Sequence, residues 1–412
     1  MLMVTAPSQK PFSYFRIAAI GSGFFGLVLV WTVYNAFMPL LLTRFIEQAS
    51  VRGLIMSLDN LLAVLLIPVV GSWSDGLSGK LGKRLPFIAA GMPLAALLFA
   101  ALPFSATSLV TLLIVDVFFL LAMTLYRAPV IALMPDHTPE EKRASANGVI
   151  NLMGGVGAIL ATLLLGQLYD LGPSYPFVLS GVALLIAFWV LFASVDRHPP
   201  YVATAGGEDD ARPLSSLASD LRLLTAPRYR QARLILAAIF CYFVGFSGFE
   251  AQFSSYAVGT LGVTGGAASV LLGLFSIAFV LGALPAGFVG DRFGKLPVML
   301  TGLLILALLF LGLGGFGSLT VVRALLAVAG LTWALVNVQA YPLLADLGGE
   351  TQIGFFTGLY YFFSMGAAIL GPPVAGLGMD LFGGQSLFVL GGLSMLLGFS
   401  FLLIARRVPE QA

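Results

Sequence analysis

Four ionisable side chains stand where the sequence is otherwise apolar: Asp59, Asp116, Arg127 and Glu250. A carboxylate in such surroundings can carry a proton, and a guanidinium can hold a ligand or link protonation to ligand occupancy. An Asp at the centre of a membrane-spanning helix costs about 2.5–3.5 kcal/mol to insert, so it needs a compensating role. Asp116 and Arg127 are eleven residues apart, about three helical turns, which puts them on one face and roughly 16 Å apart along the axis. They cannot pair with each other on a straight helix. A cavity-facing stripe fits the spacing, with Asp116 at mid-depth; a fixed ion pair between Arg127 and a carboxylate of another helix is the structural alternative. Asp59 is followed by Asn60, and Glu250 by Gln252, Ser254, Ser255 and Tyr256, a polar cluster that breaks its helix or lines a cavity.

Further polar groups recur at helical spacing. Asn147 and Asn151 share a face with Gly154 and Ala158. Trp31, Tyr34 and Asn35 form one aromatic and amide group, Trp333, Asn337 and Gln339 a second, and Tyr360, Tyr361 and Ser364 a third. Rings that stack on C–H faces, beside donors and acceptors for hydroxyls, are what sugar recognition needs; each group taken singly reads equally as core or lipid belt. The two histidines, His137 and His198, fall in polar loops, and Cys241 is the only cysteine. No disulfide within the chain, metal centre or cofactor is therefore expected. No nucleophile–base pair or ATP-binding motif is visible either, and an enzyme is not expected.

These residues must be positioned by membrane-spanning helices. Of the 412 residues 59% are hydrophobic and 10% charged, and the mean hydropathy is +0.99. A water-soluble fold cannot cover that much apolar side chain, and strands of an outer-membrane barrel would alternate polar and apolar residues instead of running apolar for about 20. Six apolar segments, at 17–43, 52–73, 86–105, 107–134, 145–169 and 176–195, precede a polar stretch. Six more follow, at 234–259, 265–289, 297–316, 319–345, 354–377 and 386–405. The organisation predicted is an N-terminal six-helix bundle (1–195), a linker loop (196–233) and a C-terminal six-helix bundle (234–412). The first segment is too long for a signal-peptide core and is expected to be retained as a span. Lys80, Lys83, Arg84, Lys142, Arg143, Arg292, Lys295, Arg406 and Arg407 fall in loops on one side, so both termini are expected to be cytoplasmic, in an inner membrane. A net charge of +2 gives no reason to expect a nucleic-acid partner.

The halves repeat. A shift of 210 residues places Asp136 on Asp346, Gly148 on Gly358, Ala158–Leu160 on Ala368–Leu370 and Asp170 on Asp380. The loop Gly71-Ser-Trp-Ser-Asp75 returns as Gly287-Phe-Val-Gly-Asp291, each followed by Gly-Lys and then Pro, at Pro86 and Pro297. Two six-span halves in the same order form a parallel repeat, the arrangement tied to alternating access.

The Gly71–Asp75 loop with Gly82-Lys83-Arg84, echoed by Gly287–Asp291 with Arg292-Phe-Gly-Lys295, resembles the signature loop of the major facilitator superfamily. Its physics is that of a gate: Asp75 and Asp291 near helix ends pair with the loop's basic residues and hold one conformation until substrate shifts the balance. Residues 71–91 (GSWSDGLSGKLGKRLPFIAAG) and 114–136 (IVDVFFLLAMTLYRAPVIALMPD) look like the branch that holds sucrose/proton symporters and glycoside–cation symporters. The chain departs from the plant members of that branch in being shorter and in lacking a His on the first span. That resemblance implies proton binding at Asp116 and a substrate or coupling role for Arg127. The function expected is proton-coupled symport of a sugar or glycoside by a monomer, with Asp59 and Glu250 as further coupling carboxylates. Tyr34, Asn35, Asn60, Asn151, Gln252, Asn337, Gln339 and Tyr361 are the expected substrate contacts. Proton-driven export of a drug or metabolite would use the same carboxylates with a more aromatic cavity.

Overall fold

The computed structural model describes residues 12–77, 79–197, 199, 201, 221–315, 318–348 and 352–408. Most of the linker, with His198, Glu208, Asp209, Asp210 and Arg212, lies outside them. Among the described residues the chain is all helix, without strands. Twelve helices are long and apolar enough to cross a membrane. In the first half these are α1 (Tyr14–Leu42), α2 (Ala49–Gly76), α3 (Leu85–Ser105), α4 (Leu109–Asp136), α5 (Ser145–Leu168) and α6 (Tyr175–Ser194). In the second they are α7 (Pro227–Gly259), α8 (Gly265–Phe293), α9 (Lys295–Leu313), α10 (Leu319–Gly348), α11 (Gly354–Phe382) and α12 (Ser386–Arg406). The shortest has 19 residues, about 28 Å of helix, enough for a hydrocarbon core of about 30 Å.

Local signals account for several boundaries. A capping box opens α4: Ser108 Oγ accepts from the Thr111 amide and Thr111 Oγ1 from the Ser108 amide, both at 3.2 Å. Thr264 caps α8 through the Ala267 amide at 3.2 Å. Gly294, at φ +87°, lets α8 turn into α9 in one residue, a backbone geometry that a side chain would strain. In α2 the helix is interrupted at Ser57, whose hydroxyl turns back to the Gly53 carbonyl at 2.9 Å. Asp59 thereby falls in the first turn of the inner piece, where helix N–H groups favour a carboxylate.

The buried apolar side chains form two cores, one per bundle. Tyr34, Phe37, Phe99, Phe119 and Phe177 centre the first, and Phe249, Phe253, Phe310, Phe356 and Phe388 the second. Much of the sequence's phenylalanine is thus bundle core. Leu97, Trp189, Leu284 and Phe288 are among the large side chains left on the outside, as expected where hydrocarbon replaces water.

With twelve candidate spans among the described residues, the start of α1 and the end of α12 share one face, the terminal face. Among the described residues, close backbone contacts between the bundles lie at the opposite face. There α11 packs along Ala49–Met56 and has little contact with the rest of α2. Gly53 and Gly376 let the two backbones touch, since a Cβ on either would collide with the main chain at Pro372 or Ala49. The pseudo-symmetric contact joins α8 to the end of α5. At the terminal face the ion pairs of Arg84 with Asp75 and Asp136, and of Lys295 with Asp346, each stay within one half.

Candidate substrate and coupling site

Between the bundles lies a cavity of about 420 Å³. The first bundle contributes Trp31, Thr32 and Asn35 from α1, Asp59 and Asn60 from α2, Arg127 from α4 and Thr162 from α5. The second contributes Ser247 and Glu250 from α7 and Ser276 from α8. Phe24, Leu27, Val28, Ile131 and Leu272 supply apolar wall. Two carboxylates and one guanidinium therefore face one space. Asp59 accepts a hydrogen bond from Asn60 Nδ2 at 2.8 Å. It also lies within charge–charge range of both Arg127 and Glu250. Asn35 is a hydrogen-bonding neighbour of Glu250 across the bundle interface. Among the described residues neither Arg127 nor Glu250 is in an ion pair. Burying unpaired charges is costly in a membrane, and the two sit where a solute can answer them.

Several expected contacts are elsewhere. Asp116 is fully buried but does not line the cavity; it lies behind the wall, beside Tyr34. Trp31, which does line the cavity, packs edge-on against Tyr34 with centroids 5.4 Å apart, and Phe119 lies 5.6 Å from Tyr34. These rings close over α4 at the level of Asp116 and leave its face open at Arg127. The one-face geometry from the spacing is sound, but the bundle covers half of that face. Among the described residues neither Asp116 oxygen nor the Tyr34 hydroxyl makes a hydrogen bond of good geometry.

Gln252 is a strut instead of a cavity residue: its Nε2 donates to the carbonyls of Ala49 (2.8 Å) and Pro372 (3.2 Å), tying α7 to α2 and α11. Gln339 donates to the Ala286 carbonyl at 2.7 Å, joining α10 to α8. Asn151 is exposed and donates to its own helix at Asn147, 3.0 Å away. Asn337 is half-buried and Tyr361 exposed against the ring of Tyr360; neither lines the cavity. The cavity residues that sequence reasoning missed are Thr32, Thr162, Ser247 and Ser276. Thr32–Asn35 and Ser247–Glu250 are both i,i+3 pairs, a signal that was present in the sequence.

At the terminal face the loop expected to gate forms ion pairs. Arg84 contacts Asp75, reaches Asp136 at 3.1 Å and donates to Ser74 Oγ at 2.6 Å. In the second half Lys295 pairs with Asp346 at 2.5 Å, while Asp291 is exposed and Arg292 lies over the Phe293 ring. Arg84 and Lys295 each precede the repeated Pro of their half by two residues, at Pro86 and Pro297, and each binds an Asp at the end of the half's fourth span. The basic partner in the second half thus clasps the repeat landmark Asp346. Lys83 lines a shallow pocket beside Arg84 and Asp196.

The opposite face carries a second symmetric pair. Asp170, just past α5, accepts from Thr264 Oγ1 (2.7 Å) and the Gly266 amide (2.9 Å) at the start of α8. Asp380, on α11, accepts from the amides of Ala49 (2.6 Å) and Ser50 (2.9 Å) and from Ser50 Oγ (2.5 Å) at the start of α2. Each carboxylate caps a helix of the other bundle and ties the two halves together at this face.

Twelve candidate spans among the described residues, in two halves with separate cores and a polar cavity between them, are the architecture of a membrane transporter. The family model of the Major Facilitator Superfamily matches residues 20–265 and 235–412, and the chain belongs to that superfamily. It is not an enzyme family. An uncharacterized MFS-type transporter of Bacillus subtilis (strain 168), YfkF, is 25% identical over 260 residues, 60% of this chain and 61% of its own length. The magnetosome protein MamH of Paramagnetospirillum magneticum (strain ATCC 700264 / AMB-1) is 30% identical over 192 residues, 46% of this chain and 42% of that one. The match thus spans less than two thirds of either relative. Among solved structures, a bacterial homolog of the human lysosomal transporter Spinster, inward-facing and occupied, superposes with a TM-score of 0.71 at 19% identity, covering 97% of this chain and 96% of its own. A variant of the nucleoside transporter NupG gives 0.75 at 14% identity, covering 94% and 99%. At these identities the likeness is one of fold.

Proposed function

We propose that the protein is a proton-coupled secondary transporter of a small polar organic solute, which binds in the cavity between the bundles. The observation that carries this reading is the set Asp59, Arg127 and Glu250, contributed by both bundles and facing one space without ion pairs among the described residues. Asp59 and Glu250 are the proton-accepting groups of that space. Asp116 is a reserve carboxylate behind it, reached through Tyr34. Arg127 links proton and solute: an anionic or electronegative group that takes the guanidinium competes with the charge of Asp59, and a proton on Asp59 relieves the competition.

The resemblance to sucrose/proton and glycoside–cation symporters suggests a hydroxyl-rich solute. Asn35, Asn60, Thr32, Ser247 and Ser276 beside the Trp31 ring support hydroxyls on the solute, charged or not, because hydroxyls need paired hydrogen bonds and C–H faces stack on an indole. The aromatic lining an exporter of apolar drugs would use is sparse here: Phe24 and Trp31 are the rings of the cavity wall. The Lys/Arg-rich loops favour an inner-membrane protein with its terminal face cytoplasmic, so the cavity would open inward. A cavity complete within one chain favours a monomer as the working unit.

The test is transport by the purified protein in proteoliposomes. Asp59→Asn and Glu250→Gln are expected to reduce accumulation driven by a pH gradient by at least about tenfold while solute exchange at equal pH persists. Full pH-driven accumulation in both variants would exclude the cavity carboxylates as carriers.

A further inference from the structure

We infer that the solute is a zwitterion, one anionic and one cationic group on a small organic body, held with its anion on Arg127 and its cation on Glu250. The inference rests on the cavity being the transport site and goes beyond it in naming the solute's charge pattern. It follows from charge balance. With all three groups ionised, Asp59, Glu250 and Arg127 leave the lining one negative charge in excess; one proton on Asp59 removes that excess. What remains is a separated pair: a guanidinium on α4 of the first bundle and a carboxylate on α7 of the second. Neither is in an ion pair among the described residues. A neutral sugar leaves both unanswered when the cavity closes, which in a low-dielectric interior is costly. In this singly protonated lining a simple anion answers Arg127 alone, and a simple cation Glu250 alone, and each leaves net charge in the closed cavity. A zwitterion answers both and keeps the loaded, singly protonated cavity neutral.

The placement of the two groups also supplies the coupling. Because Arg127 and Glu250 belong to different bundles, one zwitterion bridges them and draws the open sides together. The apolar wall of Phe24, Leu27, Val28, Ile131 and Leu272 takes the body of the solute, and about 420 Å³ suits a solute of amino-acid to dipeptide size.

The experiment uses the purified full-length chain in nanodiscs. Amino acids, dipeptides and glycerophosphocholine are screened by thermal shift and then by equilibrium binding. Each amino acid and dipeptide is presented as the zwitterion, the C-terminal amide and the N-acetyl form, with neutral disaccharides alongside. Stabilisation is expected from zwitterionic members only. Arg127→Ala and Glu250→Gln should each weaken their binding about tenfold to a hundredfold, the range for a hydrogen-bonded charge. Arg127→Lys and Glu250→Asp, which keep the charges, serve as folding controls and should retain most of the affinity. Stabilisation by disaccharides alone, by singly charged members alone, or by no member overturns the inference. The two readings fail separately. A disaccharide that binds and moves protons removes the zwitterion and leaves proton coupling, whereas a zwitterion transported without protons does the reverse.

Discussion

Asp59 and Asp116 show how little the residue type alone decides. Both are aspartates in apolar spans, yet one faces the cavity beside Asn60 and the other is sealed behind Trp31, Tyr34 and Phe119. The difference comes from the ring packing of α1 on α4, which no spacing rule within α4 contains. Removing that seal is informative: Trp31→Ala should open Asp116 to the cavity, and a water-soluble carbodiimide should then modify Asp116 at a rate well above that in the unaltered chain. Equal rates would place Asp116 outside reach of the cavity altogether. His137 makes a separate prediction at the terminal face. Its Nδ1 bonds the Leu133 carbonyl at 2.8 Å and its Nε2 accepts from the Asp196 amide at 3.2 Å, so the neutral ring is the one the fold holds. Burial pushes the imidazole below its usual range. The unfolded chain, with an ordinary value near about 6.5, then binds more protons than the folded one. This contribution to stability is fully present above about pH 6.5 and is lost as pH falls through the lower folded value. His137→Ala should cost about 0.5–1.5 kcal/mol at neutral pH, by removing the hydrogen bond to the Asp196 amide, and should flatten the acid side of a melting-temperature profile. A variant whose profile runs parallel to the original would show that His137 does not titrate with folding.

At the scale of elements, the two helix caps across the bundle interface are the parts most open to test. Asp170 on the start of α8 and Asp380 on the start of α2 each join a negative charge to a positive helix end. Such contacts are worth about 0.3–1 kcal/mol, up to about 2 when partly buried. Asp170→Asn and Asp380→Asn should therefore each shift the population toward a state open at this face, and the double variant more. Spin labels at Leu171 and Phe382, both highly exposed and in different bundles, report the separation in a Cys241→Ala background. An unchanged distance distribution in the double variant would remove the caps from gating. The twelve spans themselves were legible from hydropathy, and their ends moved by only a few residues, because lipid forces every backbone group into a helix. The break at Ser57 and the six-residue π segment Leu160–Leu165 inside α5 were not legible. Each depends on what the helix packs against. The polar cluster on α7 was legible as a cluster, but its helix runs unbroken; Glu250 faces the cavity and Gln252, two residues on, points to α2 and α11.

Across the whole molecule the repeat proved the most informative sequence signal. Its landmarks fall at the polar contacts of the two faces: Asp136 and Asp346 hold Arg84 and Lys295 at the terminal face, and Asp170 and Asp380 cap helices at the other. The contacts at the two faces are thus built from the same elements in each half. What the sequence did not reveal is which polar residues converge, since Asp59, Arg127 and Glu250 lie on three helices and two bundles. Asn151, Gln339 and Tyr361 had the right chemistry but lie on helix faces turned away from the cavity. The central claim is that the carboxylates of this cavity load a proton together with the solute. The most direct test is proton release or uptake by the purified protein in weakly buffered detergent solution when a solute that stabilises it is added. Solute addition should move protons in the unaltered chain, and Asp59→Asn should bind the solute but move few or none. Proton movement of full size in Asp59→Asn and Glu250→Gln alike would contradict the claim.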